Sequence, residues 1–290
     1  MKNYTLNMTI EKTDIEGFLK IQELLKNNEP IFIGRLSCFE NRFVCNYILS
    51  NRLNDHSLTA AMSNNAGIYM TNDESKKKYC EQYFEAVKDS TIITGSRLTT
   101  YGLVNKLKKC IYNWKCLEPF YFMSLPEYDI NNIWGNKRFL IISSQSNTMK
   151  QQINNGNIHK VFPKIIFSEY NLNNMIFIRP PITFAGNHNN IEWDENFNKL
   201  KEEIEKVKDQ FDIALVSCGG YGLITTHFIH KELNRSSIYV GGALQVLFGI
   251  KGHRWDNNNN ISCHYNEYWT RPVEEDIPKN CKAVEGGCYW

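Results

Sequence analysis

Four apolar runs in this chain each end in glycine, and this pattern constrains the fold more than any other feature. The runs cover residues 31–34, 91–95, 213–222 and 237–245. Each run predicts a short buried strand, then a turn and the start of a helix. Because ligands of open α/β sheets bind where the carboxyl ends of parallel strands meet, these turns predict a ligand site at one edge of a sheet.

The composition is that of a folded protein and excludes several functional classes. Hydrophobic residues make up 42% of the 290 residues and charged residues 22%. The 33 Lys and Arg against 31 Asp and Glu give a net charge of +2, so nothing indicates a nucleic-acid partner. No run reaches the roughly 18 apolar residues of a membrane span, and the first residues lack a secretory-signal pattern. Nine cysteines without a CxxC pair favour reduced thiols and a cytoplasmic location.

Helical patterns alternate with the strands along the chain. Apolar residues recur at helical spacing in several segments: 14–25, 40–53, 75–87, 101–110, 193–208, 221–233 and 243–249. Two further strands are predicted at 137–144 and 176–178. The alternation predicts an α/β, Rossmann-like fold, with a mostly parallel sheet and helices on both faces.

Two domain organisations fit this alternation. The first has an N-terminal half over 1–136 and a C-terminal half over 137–290, which ends in an aromatic-rich tail. The second is a single continuous domain. The stretch from 117 to 136 has no clear period, and we interpret it as a connection between the halves.

The first predicted strand delivers polar side chains to the expected site. Arg35, Ser37 and Glu40 follow directly after it. The planar guanidinium of Arg35 suits a diphosphate, which it can bind through two parallel hydrogen bonds. Glu40 could hold Mg²⁺ or Mn²⁺ or act as a base, and it is our catalytic candidate. An Arg–Glu ion pair, or a carboxylate at a helix start, is the alternative interpretation.

The third and fourth glycine-ended runs supply candidate ligand-binding turns. Free N–H groups at a helix start favour an anion, and glycine lets a ligand approach the backbone closely. The substrate-binding candidates here are Gly219, Gly220, Tyr221, Gly241, Gly242 and Gln245. Tight turns without a ligand are the alternative interpretation of the glycines, and the Gln245 amide faces either the site or solvent. Neither turn is a GxGxxG fingerprint or a Walker A loop, so a nicotinamide dehydrogenase is not indicated.

Two other segments carry candidate substrate-binding residues. Ser96 and Arg97 follow the second predicted strand, where they suit phosphate or sugar hydroxyls, or else cap a helix. Lys251 and Arg254 lie in the aromatic-rich tail, where cations beside aromatic rings suit phosphate pairing and sugar stacking. A tail that only straps over the sheet is the alternative.

Several of these motifs resemble known families. The segments Cys218-Gly-Gly-Tyr-Gly222, Val240-Gly-Gly-Ala-Leu-Gln245 and Glu285-Gly-Gly-Cys-Tyr-Trp290 resemble a family of uncharacterised proteins associated with polysaccharide biosynthesis. More distantly, Ile33-Gly-Arg35 followed by Glu40 is similar to the opening motif of GT-D-type glycosyltransferases. That resemblance implies a Rossmann-like sheet, a nucleoside-diphosphate sugar, and an Asp-x-Glu motif for a divalent metal. Glu40 matches the second carboxylate of that motif, but Cys38 stands at the first.

The resemblance implies a glycosyltransferase that moves a sugar from a nucleoside-diphosphate sugar to a glycan acceptor. A divalent cation, Mn²⁺ or Mg²⁺, would be bound through Glu40. A nucleotide- or sugar-phosphate-binding protein without transferase activity is the alternative, and the missing Asp of the metal motif favours it.

Overall fold

A computed structural model of the protein describes residues 11–27, 29–95 and 101–290. In this part of the chain eight strands form one sheet, in the order β1-β4-β3-β2-β8-β7-β5-β6. The strands are β1 (Glu11–Lys12), β2 (Phe32–Arg35), β3 (Ile92–Gly95), β4 (Ile111–Asn113), β5 (Phe139–Ser143), β6 (Met175–Ile178), β7 (Ile213–Ser217) and β8 (Ser236–Tyr239). Each neighbouring pair is parallel.

Helices connect the strands. The α-helices are α1 (Asp14–Lys26), α2 (Cys38–Ser50), α3 (His56–Ala61), α4 (Asp73–Asp89), α5 (Tyr101–Leu107), α6 (Ile130–Ile133), α7 (Ser146–Asn154), α8 (Glu169–Asn173), α9 (Trp193–Glu205), α10 (Gly222–Lys231), α11 (Leu244–Leu247), α12 (His253–Asp256) and α13 (Asn259–Ser262). Short 3₁₀ turns lie at Trp114–Leu117, Pro119–Phe122, Gly219–Tyr221, Gly241–Ala243, Glu274–Asp276 and Cys281–Ala283, and one π-helical turn at Met62–Ala66.

The sheet is covered on both faces, which gives two apolar cores. Along β5, Phe139 and Ile141 face one core, whereas Leu140 and Ile142 face the other. Side chains of α1, α7 and α11 pack in the first core, and those of α2, α4, α9 and α10 pack in the second. A strand buried on both faces reads as a continuous apolar run, which is why the glycine-ended runs located the central strands. The predicted α/β, Rossmann-like fold is confirmed.

Strands from both predicted halves belong to the same sheet. At its centre, β2 pairs with β8, with Phe32 opposite Ser237 and Ile33 opposite Ile238. The carboxyl ends of these two strands therefore lie side by side, although about 200 residues separate them in the sequence. The division into 1–136 and 137–290 stays a prediction about domain behaviour.

The six strands predicted from the sequence are confirmed to within two residues at either end. The sequence pattern missed β1 and β4, because strands of two or three residues have no measurable period. The helix predicted over 101–110 ends at Leu107, and β4 begins four residues later. Within the described residues, no helix is long and apolar enough to cross a membrane. All nine cysteines are free thiols.

The aromatic tail is fastened to the start of α7 by a buried carboxylate. Asp276 is fully buried, and its Oδ2 accepts hydrogen bonds from the backbone N–H of Thr148 at 2.7 Å and from its hydroxyl at 2.8 Å. The indole N–H of Trp290 donates to the Asp276 carbonyl at 3.2 Å. These contacts hold the last residues of the chain against the carboxyl edge of the sheet.

Close packing at the start of α10 predicts a strong effect of one small substitution. Gly222 has ordinary helical angles, but a Cβ there would lie 2.2 Å from the Tyr239 ring. Gly222→Ala should therefore lower the free energy of unfolding by about 1–3 kcal/mol, although alanine is the better helix former. Urea unfolding measures this loss.

A double-mutant cycle with Tyr239→Leu isolates the cause. If the Tyr239 ring is responsible, Gly222→Ala should lower the free energy of unfolding much less in the Tyr239→Leu background than in the wild type. An equal cost in both backgrounds would contradict the clash.

Candidate functional site

A cavity of about 370 Å³ opens at the carboxyl edge of the sheet. Its walls come from the segments after β2, β5, β6, β7 and β8, and the tail closes one side. The volume is within the range of small-molecule sites in proteins. Nine residues predicted from the sequence line it: Arg35, Ser37, Glu40, Gly219, Tyr221, Gly241, Gly242, Gln245 and Arg254.

Two predicted residues do not belong to this lining, and two others cannot be placed relative to it. Gly220 lies behind it, where a Cβ would be 2.4 Å from Ile68. Lys251 places its ammonium 4.9 Å from the centre of the Tyr265 ring, away from the cavity wall. Ser96 and Arg97 lie outside the described residues.

Arg35 is the last residue of β2 and projects into the cavity wall. Its Nη1 donates to the carbonyl of Val240 at 2.6 Å and lies 3.5 Å from Oε1 of Glu118. The guanidinium carbon lies 5.0 Å from the centre of the Trp114 ring. Within the described part of the chain both polar contacts of Arg35 go through Nη1, so the other N–H groups of the fork are available to a ligand.

Glu118 is the ion-pair partner of Arg35, and the sequence did not single it out. Its side chain is 1% exposed and lines the cavity, and its Oε2 has no hydrogen-bond partner among the described residues. Burial raises the pKa of Glu118 to about 7, although the positive charges of Arg35 and Arg254 oppose that rise. This carboxyl therefore changes charge near neutral pH. It lies in the stretch interpreted only as a connection, where its pairing with Arg35 leaves no signal in the sequence.

Glu40 lies in the first turn of α2 and is 5% exposed. Its carboxylate accepts hydrogen bonds from Ser37 and from its own backbone N–H, but burial is the larger effect and raises its pKa. Three buried tyrosines lie close enough for the Glu40 charge to raise the pKa of their phenols: Tyr79, Tyr83 and Tyr239. Of these three, only Tyr239 lines the cavity together with Glu40.

Two of these tyrosines donate hydrogen bonds to the first glycine turn. The hydroxyl of Tyr79 donates to the carbonyl of Gly220 at 2.9 Å, and that of Tyr239 donates to the carbonyl of Gly219 at 2.8 Å. Both carbonyls of the turn are therefore held by protein. The backbone N–H of Tyr221 also donates within the protein, to the carbonyl of Cys218 at 3.2 Å, so a direct contact of this turn with a ligand stays a prediction.

Packing explains the glycines of the second turn. Gly241 has a φ of +72°, which favours glycine, and its backbone lies against the Arg35 guanidinium. A Cβ at Gly242 would lie 2.3 Å from the Tyr289 ring. Backbone conformation at Gly241 and the Tyr289 ring at Gly242 therefore explain the two glycines, and a direct contact of this turn with a diphosphate stays a prediction.

Gln245 faces neither open solvent nor a free part of the cavity. Its amide N–H₂ donates to the carbonyls of Tyr289 and Ile250, and its Oε1 accepts from Gln145 at 3.1 Å. Gln145 follows β5 and also lines the cavity, and its own Oε1 has no partner among the described residues. Gln145 is thus a polar group of the wall that the sequence analysis missed. The polar end of its predicted strand, Ser143-Ser144, was the available signal.

Arg254 brings a second positive charge to the cavity from α12. It donates from Nη1 to the hydroxyl of Tyr289 and lies 3.7 Å from Oε2 of Glu285. Its side chain is 48% exposed, so it stands at the mouth of the cavity, whereas Arg35 stands inside. Two arginines at different depths suit an elongated anion.

The donor set around Glu40 is poor for a divalent cation. Mg²⁺ and Mn²⁺ prefer several oxygen ligands, but Cys38 offers a thiol and the Glu40 carboxylate already accepts two hydrogen bonds. Across the described ranges, no three His, Cys, Asp or Glu side chains come together to hold a metal. A cation bound through Glu40 stays a prediction.

Comparison of the chain with protein-family models, curated proteins and solved structures returns no match. The resemblance to polysaccharide-biosynthesis proteins and to GT-D-type glycosyltransferases therefore stays a prediction from the motifs. The function has to be argued from the site itself.

The buried carboxyl of Glu118 should make the stability of the protein depend on pH. The ordinary pKa of a glutamate is 4.5, whereas that of Glu118 in the folded protein is about 7. Between these values the folded state binds more protons, so the free energy of unfolding falls as pH rises. Glu118→Gln removes this titration. When the pH rises from about 5 to about 8, the free energy of unfolding of the variant should therefore rise by about 2.5 kcal/mol relative to that of the wild type.

Urea unfolding of both proteins at the two pH values measures this gain. Glu195→Gln, the same chemical change at an exposed position of α9, is the matched control and should show no such gain. A stability difference between Glu118→Gln and wild type that stays constant with pH would contradict the raised pKa.

Proposed function

We propose that the protein is a glycosyltransferase that uses a nucleoside-diphosphate sugar and binds it in the carboxyl-edge cavity. The observation that carries the proposal is the position of Arg35. Its guanidinium lies in the cavity wall at the end of a central parallel strand, with N–H groups that bind no other described residue. A planar fork in that position suits the two phosphates of a nucleoside diphosphate.

The rest of the wall supports a ligand with a charged centre and flat or ring-shaped ends. Arg254 adds a second positive charge at the mouth. Aromatic rings make up much of the remaining surface, from Trp114, Phe184, Tyr239, Trp255, Tyr289 and Trp290. Such rings stack on nucleobases and on the apolar faces of sugars. A nucleoside-diphosphate sugar combines both kinds of group.

In the proposed reaction, an acceptor hydroxyl attacks the anomeric carbon of the bound sugar. The bond from that carbon to the diphosphate oxygen breaks, and its electrons leave with the nucleoside diphosphate. Arg35 and Arg254 stabilise the charge that develops on this leaving group. Glu40 orients the acceptor hydroxyl and takes its proton, one of the two roles that a carboxylate at this position suits.

One observation favours the alternative, a nucleotide- or sugar-phosphate-binding protein without transferase activity. Glu40 is buried and hydrogen-bonded within the protein, and Cys38 stands where the family motif has its first carboxylate. Tight binding of a nucleoside-diphosphate sugar without turnover on any glycan acceptor would support this alternative.

Thermal unfolding with a panel of nucleoside-diphosphate sugars tests the proposal. A fitting donor at roughly 100-fold excess over its Kd should raise Tm by about 5 °C. Arg35→Lys keeps the charge but loses the planar fork, so it should weaken binding by roughly 5- to 150-fold and reduce the shift by between about a third and about nine-tenths. Each variant is compared with its own ligand-free Tm.

Arg42→Lys is the matched control, because Arg42 is exposed on α2 and does not line the cavity. It should leave the shift intact, and added Mn²⁺ should not increase it. The proposal fails if no donor stabilises the protein, or if Arg35→Lys leaves the shift unchanged.

A further inference from the structure

The proposed function puts a ligand phosphate on the Arg35 guanidinium, beside the buried carboxyl of Glu118. Arg35 Nη1 lies 3.5 Å from Glu118 Oε1, and Trp114 flanks the guanidinium at 5.0 Å. An anion that binds this guanidinium would stand beside a buried carboxylate. Two negative groups cannot share one guanidinium in a poorly solvated wall without a large repulsion.

We propose that an anionic ligand takes the place of Glu118 on Arg35, and that Glu118 takes up one proton from solvent as the ligand binds. The site would then accept the charge of a diphosphate without burying a second anion next to it. This inference rests on the proposed function for the natural ligand. The exchange itself requires only an anion at Arg35.

The surroundings of Glu118 make it the group that can take the proton. Its Oε2 is buried without a partner among the described residues, so one oxygen is open to protonation while the other faces Arg35. Burial already brings its pKa to about 7 in the ligand-free protein. An anion bound to Arg35 offsets the positive charge that holds the pKa of Glu118 down. That pKa therefore rises further when the anion binds.

The other groups that face Glu118 do not compete for this proton near neutral pH. The positive charges that act on Glu118 come from Arg35 on β2, Arg254 on α12 and Lys115 on the adjoining 3₁₀ turn. Burial raises the pKa of the Cys116 thiol and raises that of Tyr121 to about 12, so both stay neutral. Glu40 is a second buried carboxyl with a raised pKa in the same cavity, and the experiment must separate it from Glu118.

Sulfate is the first probe, because it is a dianion whose own charge does not change near pH 7. Isothermal titration of the wild type at about pH 7.5, in buffers of different ionisation enthalpy, should show uptake of about 0.8 proton per bound sulfate. Between about pH 6.5 and about pH 8.5 the affinity should fall roughly 20-fold. No proton uptake by the wild type, or no binding of sulfate at all, would overturn the inference without requiring any variant.

Glu118→Gln identifies the group responsible. This variant should bind sulfate without proton uptake and with equal affinity at both pH values, so that at about pH 8.5 it binds more tightly than wild type. Glu195→Gln on the far surface is the matched control and should behave as wild type. Proton uptake that persists in Glu118→Gln would assign the effect to another carboxyl, such as Glu40, and overturn the inference.

The same titrations with the nucleoside-diphosphate sugar that most raises Tm separate this inference from the proposed function. Sulfate bound with proton uptake, while no nucleotide sugar binds, would leave the exchange standing and sink the proposed function. A nucleotide sugar that binds without proton uptake would support the proposed function and overturn the exchange at Glu118.

Discussion

The parallel pairing of β2 with β8 is the constraint on which the site depends. It places the end of a strand from the first third of the chain beside the end of one from the last fifth. Arg35 then lies close enough to donate to the carbonyl of Val240, directly after β8. The Gly241 backbone packs against the same guanidinium. The first strand and the last glycine turn therefore form one wall of the cavity.

Three buried carboxyls lie at this edge of the sheet, each with a different partner. Asp276 fastens the tail to the start of α7, Glu40 holds Ser37 at the start of α2, and Glu118 pairs with Arg35. A buried ion pair gives little net stability, because the loss of hydration offsets the attraction between the charges. Retaining Glu118 inside a ligand-sized cavity is therefore better explained by a role in binding than by a role in folding.

The sequence predicted the central strands and most of the cavity lining, because both depend on local signals. Buried parallel strands read as apolar runs, and the polar residues that follow them, such as Arg35 and Ser37, must meet at the carboxyl edge. Contacts between distant segments left no such signal. Glu118 lies in a stretch without a period, and only the fold brings it to Arg35. Gln245 was identified, but its partner Gln145, 100 residues earlier, was not.

The measurement that tests the account most directly is a crystal structure of the protein with a bound nucleoside-diphosphate sugar. We expect electron density in the carboxyl-edge cavity, with the diphosphate within hydrogen-bond distance of the Arg35 guanidinium. The Glu118 carboxyl should be displaced from that guanidinium. Density at the opposite edge of the sheet, or a bound ligand with the Arg35–Glu118 pair intact, would contradict it.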